Sequence, residues 1–220
     1  MSGKAGIRVW DLPTRAFHWL LVVLVGFSWW SAENREMEWH VLSGLAVLAL
    51  IVFRVLWGFI GGSTSRFSAF MRSPAAVIAY VRGLGGPTRP GHNPLGGYSV
   101  IALLAVLAGQ VLTGLFATDV DGLDSGPLSF LVTFDQGRVA AEAHEVAFTL
   151  LMVLVVMHVA AIFFYLHARR RNLLRPMVTG RDAALAGVTE PLRPASALRF
   201  LVASAVAGGL AWWTSTGFGL

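Results

Sequence analysis

Apolar residues are concentrated in five runs, and the shorter stretches between these runs hold most of the charged residues. A membrane-spanning helix needs about 20 mostly apolar residues in succession, and each run reaches or approaches that length. The pattern therefore predicts an all-α membrane protein, a transmembrane helical bundle with five spans. The predicted spans are residues 15–32, 39–60, 97–117, 143–167 and 197–217.

Two of the connecting stretches have room for a short helix on the membrane surface. Residues 61–96 are rich in Gly, Pro and Arg, and within them residues 74–83 have an amphipathic pattern. Such a helix lies in the interface with its apolar side toward the lipid. Residues 168–196 form a polar linker, which we expect to hold another surface helix.

Basic and acidic connecting segments alternate along the chain, and this alternation predicts the topology. The N-terminal stretch and the segments after the second and fourth spans are basic, whereas those after the first and third spans are acidic. Because basic segments stay on the cytoplasmic side, we expect a cytoplasmic N-terminus and a periplasmic C-terminus. The acidic segments contain Glu33, Glu36, Glu38, Asp119, Asp121, Asp124, Asp135 and Glu142.

The composition excludes several classes of site and partner. Only 13% of the residues are charged, whereas soluble domains average about 25%. The chain has no cysteine, which excludes disulfides, iron–sulfur clusters and the Cys-x-x-Cys-His attachment of c-type haem. A net charge of +5 would suit nucleic acid in a soluble protein. Here the arginines follow the membrane topology, so we expect contact with membrane lipid and no nucleic-acid partner.

Four histidines lie within the predicted spans, where an ionisable side chain is costly and marks a candidate functional site. The alternating direction of the spans places His18 and His158 toward the cytoplasmic face, and His40 and His144 toward the outer face. His144 and His158 are 14 residues apart on one helix, which is about 21 Å along its axis and about 40° around it. The histidines therefore form two layers, His40 with His144 and His18 with His158.

Two facing imidazoles without a third ligand suit a planar macrocycle held between helices of a bundle. Zinc would need four protein ligands, or three and a water molecule, and no carboxylate or further histidine completes such a set. The pattern therefore favours haem over zinc. The alternative is that these histidines form hydrogen bonds between helices for packing alone.

Several other residues allow two interpretations each. Arg54, in the inner half of the second span, would pair with a haem propionate or extend its charge to the membrane surface. Gly44, one turn from His40, leaves room for a porphyrin face or for close helix packing. His92 and His167 are expected to be solvated or interfacial, with a proton relay or a quinone contact as the alternative.

The residues around these histidines resemble those of a known family. The segment Trp10–Trp19, with the sequence Trp-Asp-Leu-Pro-Thr-Arg-Ala-Phe-His-Trp, resembles the opening of bacterial cytochrome b561 proteins and of cytochrome b subunits of nickel–iron hydrogenases. His144 and His158 are similar to the fourth-helix ligands of that family and of formate dehydrogenase gamma subunits. The resemblance covers about residues 8–180. Further similar segments are His40 with Gly44, Phe53–Phe59, Ser65–Phe67, His92–Gly96 and Thr113 with Gly114.

The resemblance implies a four-helix core over residues 1–180 with two bis-histidine b haems, and a linker with a fifth transmembrane helix over 181–220. Such a protein lies in the bacterial inner membrane. It passes electrons between quinone and a periplasmic or membrane redox partner, either a c-type cytochrome or an oxidoreductase subunit such as a hydrogenase. The alternatives are a stand-alone superoxide:quinone oxidoreductase and a non-redox protein with structural histidines.

Overall fold

A computed structural model of the chain describes residues 6–84, 90–185 and 192–219. Five of the helices in these residues are long and apolar enough to cross a membrane, namely the first, second, fifth, sixth and eighth. This finding confirms the prediction of an all-α membrane protein with five spans. The helices are α1 (Leu12–Glu33), α2 (Met37–Ile60), α3 (Phe67–Phe70), α4 (Pro74–Val81), α5 (Pro94–Phe116), α6 (Phe134–His167), α7 (Leu174–Thr179) and α8 (Ala197–Ser215).

Side-chain caps determine where several of these helices begin. The side chains of Asp11, Ser73 and Asn93 each accept a hydrogen bond from the backbone N–H three residues later, at 2.9, 3.3 and 2.7 Å respectively. Such caps satisfy one of the N–H groups that the first helical turn leaves unpaired. Helix α4 therefore begins after Ser73, in agreement with the helix predicted within residues 74–83, and its position on the membrane surface stays a prediction. Helix α7 lies in the linker in which we expected another surface helix.

Helix α6 begins nine residues earlier than the predicted start at residue 143. Thr133 and Gln136 form a capping box, in which the Gln136 N–H donates to the Thr133 hydroxyl at 3.3 Å and the Thr133 N–H donates to the Gln136 side chain at 3.0 Å. This reciprocal pair fixes a helix start. The first turns of α6 are polar, so they extend the helix beyond the apolar run.

The chain divides into two compact units, the first comprising Met1–Ala16, Val55–Ala102 and Val155–Leu201. In this unit strand β1 (Ile7–Arg8) pairs antiparallel with strand β2 (Arg181–Asp182). Beside the strands, Val9, Trp10 and Leu185 form a buried hydrophobic cluster. The second unit comprises Phe17–Arg54, Leu103–Leu154 and Val202–Leu220.

Asp11 is the centre of a buried polar network in the first unit. Its carboxylate is 4% exposed and accepts hydrogen bonds from Trp57 Nε1 at 3.1 Å and from the Ser65 hydroxyl at 3.2 Å. The Ser65 hydroxyl also lies 2.7 Å from the Thr14 hydroxyl. Asp11 thus links the first turn of α1 to α2 and to the segment that follows α2.

We predict that Asp11→Ala lowers the free energy of unfolding by about 2–4 kcal/mol. The substitution removes a helix cap, which costs about 0.5–2 kcal/mol, and leaves the buried Trp57 N–H without its acceptor, which costs about 1–3 kcal/mol. Thermal unfolding in detergent measures the change. Asp11→Asn keeps the oxygen acceptor and should lose less. Asp121→Ala, at an exposed position, is the control, and an equal loss in that variant would contradict the prediction.

Candidate functional site

His40 and His144 face each other in the second unit. Their ring centroids are 6.0 Å apart and the ring planes are inclined at 83°. His40 lies in the first turn of α2, and His144 lies on α6 at the eleventh residue of that helix. Both side chains are half-buried. The structure therefore brings together His40 and His144, the two histidines predicted to lie at the same depth in the membrane.

A backbone carbonyl on a neighbouring helix holds each of these rings. His40 Nδ1 lies 2.8 Å from the Ser28 carbonyl oxygen on α1, and His144 Nδ1 lies 2.8 Å from the Gln110 carbonyl oxygen on α5. Because a carbonyl oxygen can only accept, Nδ1 carries the proton in both rings. Nε2 then keeps its lone pair, which is the arrangement typical of a metal-ligating histidine.

The side chain of Gln110 also contacts His144. Its amide nitrogen lies 2.9 Å from His144 Nε2, so the amide donates to the lone pair that the Nδ1–H tautomer provides. Gln110 was not among the predicted site residues, although an amide side chain within an apolar run is a signal for such a site. A metal bound at His144 Nε2 would replace this hydrogen bond.

A cavity of about 450 Å³ lies at the two histidines, within the second unit. Its walls are mostly apolar and include Gly44 and Gly114, with the carboxylates of Glu33 and Glu145 among the lining groups. A group bound in this cavity would contact two imidazoles and mostly apolar side chains.

Two glycines shape this cavity in different ways. A Cβ atom added at Gly44 would have nothing within 4 Å, so the space beside His40 is open. A Cβ atom added at Gly114 would lie 2.8 Å from His144 Cε1 and 3.0 Å from its Nδ1. Gly114 is therefore needed for the observed position of the His144 ring.

His18 and His158 lie on α1 and α6, and both side chains are half-buried. The His18 ring packs against Trp19 with the centroids 4.9 Å apart. Since α1 begins at Leu12, His18 is in the second turn of its helix. His18 belongs to the second unit and His158 to the first, and their pairing stays a prediction.

The remaining candidate residues differ from one another in their surroundings. His92 packs between Trp10 and Phe70, with ring centroids 4.6 and 4.8 Å away, so its ring is half-buried among aromatic side chains, and an interfacial position stays a prediction. His167 is exposed, as expected. Arg54 is only 3% exposed. This burial disagrees with the interpretation in which its charge extends to the membrane surface.

Among the residues that the structure describes, no three His, Cys, Asp or Glu side chains come together as a metal site. Such a set is what zinc or another protein-ligated metal would need. The His40–His144 pair brings two imidazoles to one site, and a tetrapyrrole is a group that could supply the remaining ligands of an iron held there.

Comparison with known proteins places the chain in a family. The family model for prokaryotic cytochrome b561 matches residues 9–180, which is more than half of the chain. No curated protein and no solved structure matches the chain significantly. Membership implies that haem b binds to this protein and that the protein transfers electrons. The chain is therefore a multi-pass membrane cytochrome b of the prokaryotic cytochrome b561 family.

Proposed function

We propose that the chain is a di-haem cytochrome that transfers electrons across the bacterial inner membrane between quinone and a redox partner on the periplasmic side. His40 and His144 would hold the outer haem, and His18 and His158 the inner one. The observation that best supports the proposal is the facing pair of imidazoles whose Nδ1 atoms are both held by backbone carbonyls.

The geometry of the outer pair fits an iron porphyrin. His40 and His144 would hold the iron, and their ring centroids, 6.0 Å apart, leave room for one metal ion between the two imidazoles. The open space beside Gly44 and the mostly apolar walls suit the flat face of the macrocycle.

Bound haem supplies a reversible one-electron change at its iron, and the residues of the chain set the conditions for it. The carbonyls of Ser28 and Gln110 orient the two imidazoles and would make them more basic ligands for the iron. The apolar walls lower the local dielectric constant, which is one of the factors that sets a haem potential. Arg54, buried in the second unit, would balance the charge of a propionate.

Absorption spectra and haem analysis of the purified protein test this function. The proposal expects a b-type reduced-minus-oxidised spectrum, about two haems per chain, and reduction of the haem by a quinol. A colourless protein after expression with ample haem would overturn it in favour of structural histidines. Haem reduction by superoxide but not by quinol in the same preparation would instead favour a stand-alone superoxide:quinone oxidoreductase.

The surroundings of the cavity support a basic soluble partner, such as a c-type cytochrome. Glu33 and Glu145 line the cavity and are both exposed. In the same unit Glu36, Asp121 and Asp124 are also exposed. Complementary charge of this kind guides association and raises the association rate. The partner would then exchange electrons at the outer haem.

For this partner we predict a rate that falls as salt is added. The second-order rate constant of electron transfer to a basic c-type cytochrome should fall severalfold between low and physiological ionic strength, because salt screens exposed charges. Replacing both Glu33 and Glu145 by Gln should lower the rate at low salt. The exposed Arg82→Gln, in a basic segment, is the control. A rate independent of salt in every variant would contradict a basic soluble partner and favour a membrane oxidoreductase subunit.

A further inference from the structure

Two tyrosines and an asparagine from three separate helical segments form a hydrogen-bonded cluster in the first unit. The hydroxyls of Tyr80 on α4 and Tyr165 on α6 lie 2.8 Å apart. The side-chain amide of Asn93, the cap of α5, donates to the Tyr165 hydroxyl at 3.0 Å. Asn93 uses its other side-chain atom, Oδ1, to cap α5. We call these three residues the phenol cluster.

The phenol cluster has one O–H donor that its internal hydrogen bonds do not use. Each phenol has one O–H donor, and an amide nitrogen can only donate. Asn93 donates to Tyr165, so one further hydrogen bond links the two hydroxyls. Whichever phenol donates in that bond, the O–H of the other has no acceptor within the cluster. The cluster can therefore donate outward from either end, and reversing the central bond exchanges the two ends.

Tyr165 lies on the same helix as His158, which is a proposed ligand of the inner haem. Tyr165 and His158 lie on α6 in the same unit, seven residues apart. Seven residues are about two turns, or about 10 Å, so the two side chains lie on almost the same face of the helix. At the other end, Tyr80 lies on a short helix in the basic segment after α2. The phenols thus extend from the His158 face of α6 toward that segment.

Tyr80 is suited to pass protons while it stays neutral. Burial, together with the hydrogen bond to Tyr165, raises the pKa of Tyr80 to about 12, against the opposing effect of Arg171 and Arg169. Tyr80 therefore keeps its proton throughout the physiological pH range. A neutral hydroxyl passes on one proton while it accepts another, so no charged phenolate is needed.

We propose that Tyr165 and Tyr80 form a proton relay between the cytoplasmic side and a quinone bound beside His158. The relay rests on the proposed quinone function and specifies how its protons move. Reduction of one quinone to quinol takes up two electrons and two protons, and oxidation releases them. The electrons are exchanged with the redox partner of the cytochrome, and each proton crosses the Tyr165–Tyr80 hydrogen bond. Asn93 acts as a positioning residue that fixes the Tyr165 hydroxyl.

Three Tyr→Phe variants test the relay, since Phe keeps the ring and removes only the hydroxyl. Tyr165→Phe and Tyr80→Phe should lower quinol turnover about tenfold or more, in line with the loss of a positioned proton donor. Tyr98→Phe is the matched control, because its hydroxyl donates to the Arg72 carbonyl at 3.0 Å and lies outside the cluster. Oxidation of the reduced cytochrome by ferricyanide without quinone needs no proton and should be unchanged in all variants.

An infrared difference spectrum between protein with bound quinone and protein with bound quinol supplies a readout other than turnover. A phenol band should respond to the quinone in the wild type and in Tyr98→Phe, and disappear in the other two variants. Wild-type turnover in Tyr80→Phe and Tyr165→Phe would overturn the relay and leave the quinone function standing. An equal loss in Tyr98→Phe, or slower ferricyanide oxidation, would show that the phenols are only structural. A wild type that does not react with quinol would overturn the quinone function itself.

Discussion

His144→Ala is expected to halve the haem content of the purified protein, from about two haems per chain to one. The ring of His144 faces His40 at 6.0 Å, and its removal would leave the iron of the proposed outer haem with one protein ligand. Haem extraction gives the stoichiometry, and the reduced-minus-oxidised spectrum shows which component is lost. His40→Ala removes the facing histidine and should give the same residual spectrum, because both residues are proposed ligands of the same haem.

Two other histidines serve as controls for this experiment. His167 is exposed, and His92 packs against Trp10 and Phe70, so alanine at either position should leave both haems in place. His92→Ala is expected to lower stability through lost packing while the spectrum is kept. Two haems with unchanged spectra in His144→Ala would contradict the ligand assignment. Loss of a haem in His92→Ala would show that His92 takes part in binding.

Gly114→Ala is expected to lower the occupancy of the same haem without removing a ligand. The added methyl group would lie 2.8 Å from His144 Cε1, closer than two carbon atoms approach without displacement. Extra methyl groups in a packed interior cost about 1–3 kcal/mol, and about 1.4 kcal/mol corresponds to a tenfold change in affinity. The ring must therefore turn away from its carbonyl partner, and haem affinity at this site should fall about tenfold. Titration of haem into the haem-depleted protein measures the change.

Gly109→Ala provides a matched control on the same helix. A Cβ atom at Gly109 meets nothing within 4 Å, so this variant should bind haem with wild-type affinity. Both substitutions raise helix propensity by a similar amount, so a difference between them reports on the contact with His144. Equal haem affinity in the two variants would contradict the role given to Gly114.

The number and approximate position of the spanning helices could be predicted from hydropathy, but not every helix boundary. Hydropathy locates the part of a helix that lies in lipid, and the first turns of α6 are polar. The start of α6 is instead set by the capping box of Thr133 and Gln136, which precedes the apolar run. The β1–β2 pair was not predicted, since strands of two residues carry no periodicity.

In the candidate site, helix direction and spacing predicted that His40 and His144 share a layer, because a spanning helix fixes the depth of each residue along it. The same reasoning predicted His18 with His158, and that pair stays a prediction. The contacts of Gln110 and Gly114 with His144 depend on how α5 is rotated about its axis. A single span does not fix that rotation, so these two roles required the structure.

The hydrogen bonds from His40 and His144 to main-chain oxygens have a consequence for how this site tolerates change. Every amino acid offers the same carbonyl, so replacing Ser28 or Gln110 leaves the acceptor for each ring in place. Adding or deleting one residue upstream within α1 or α5 would turn the oxygen by about 100° around its helix axis. The site should therefore tolerate substitutions at Ser28 and Gln110 but not insertions or deletions upstream of them in the same helix. Selection would then act on the number of residues in each helix before these positions, and less on which residues stand there.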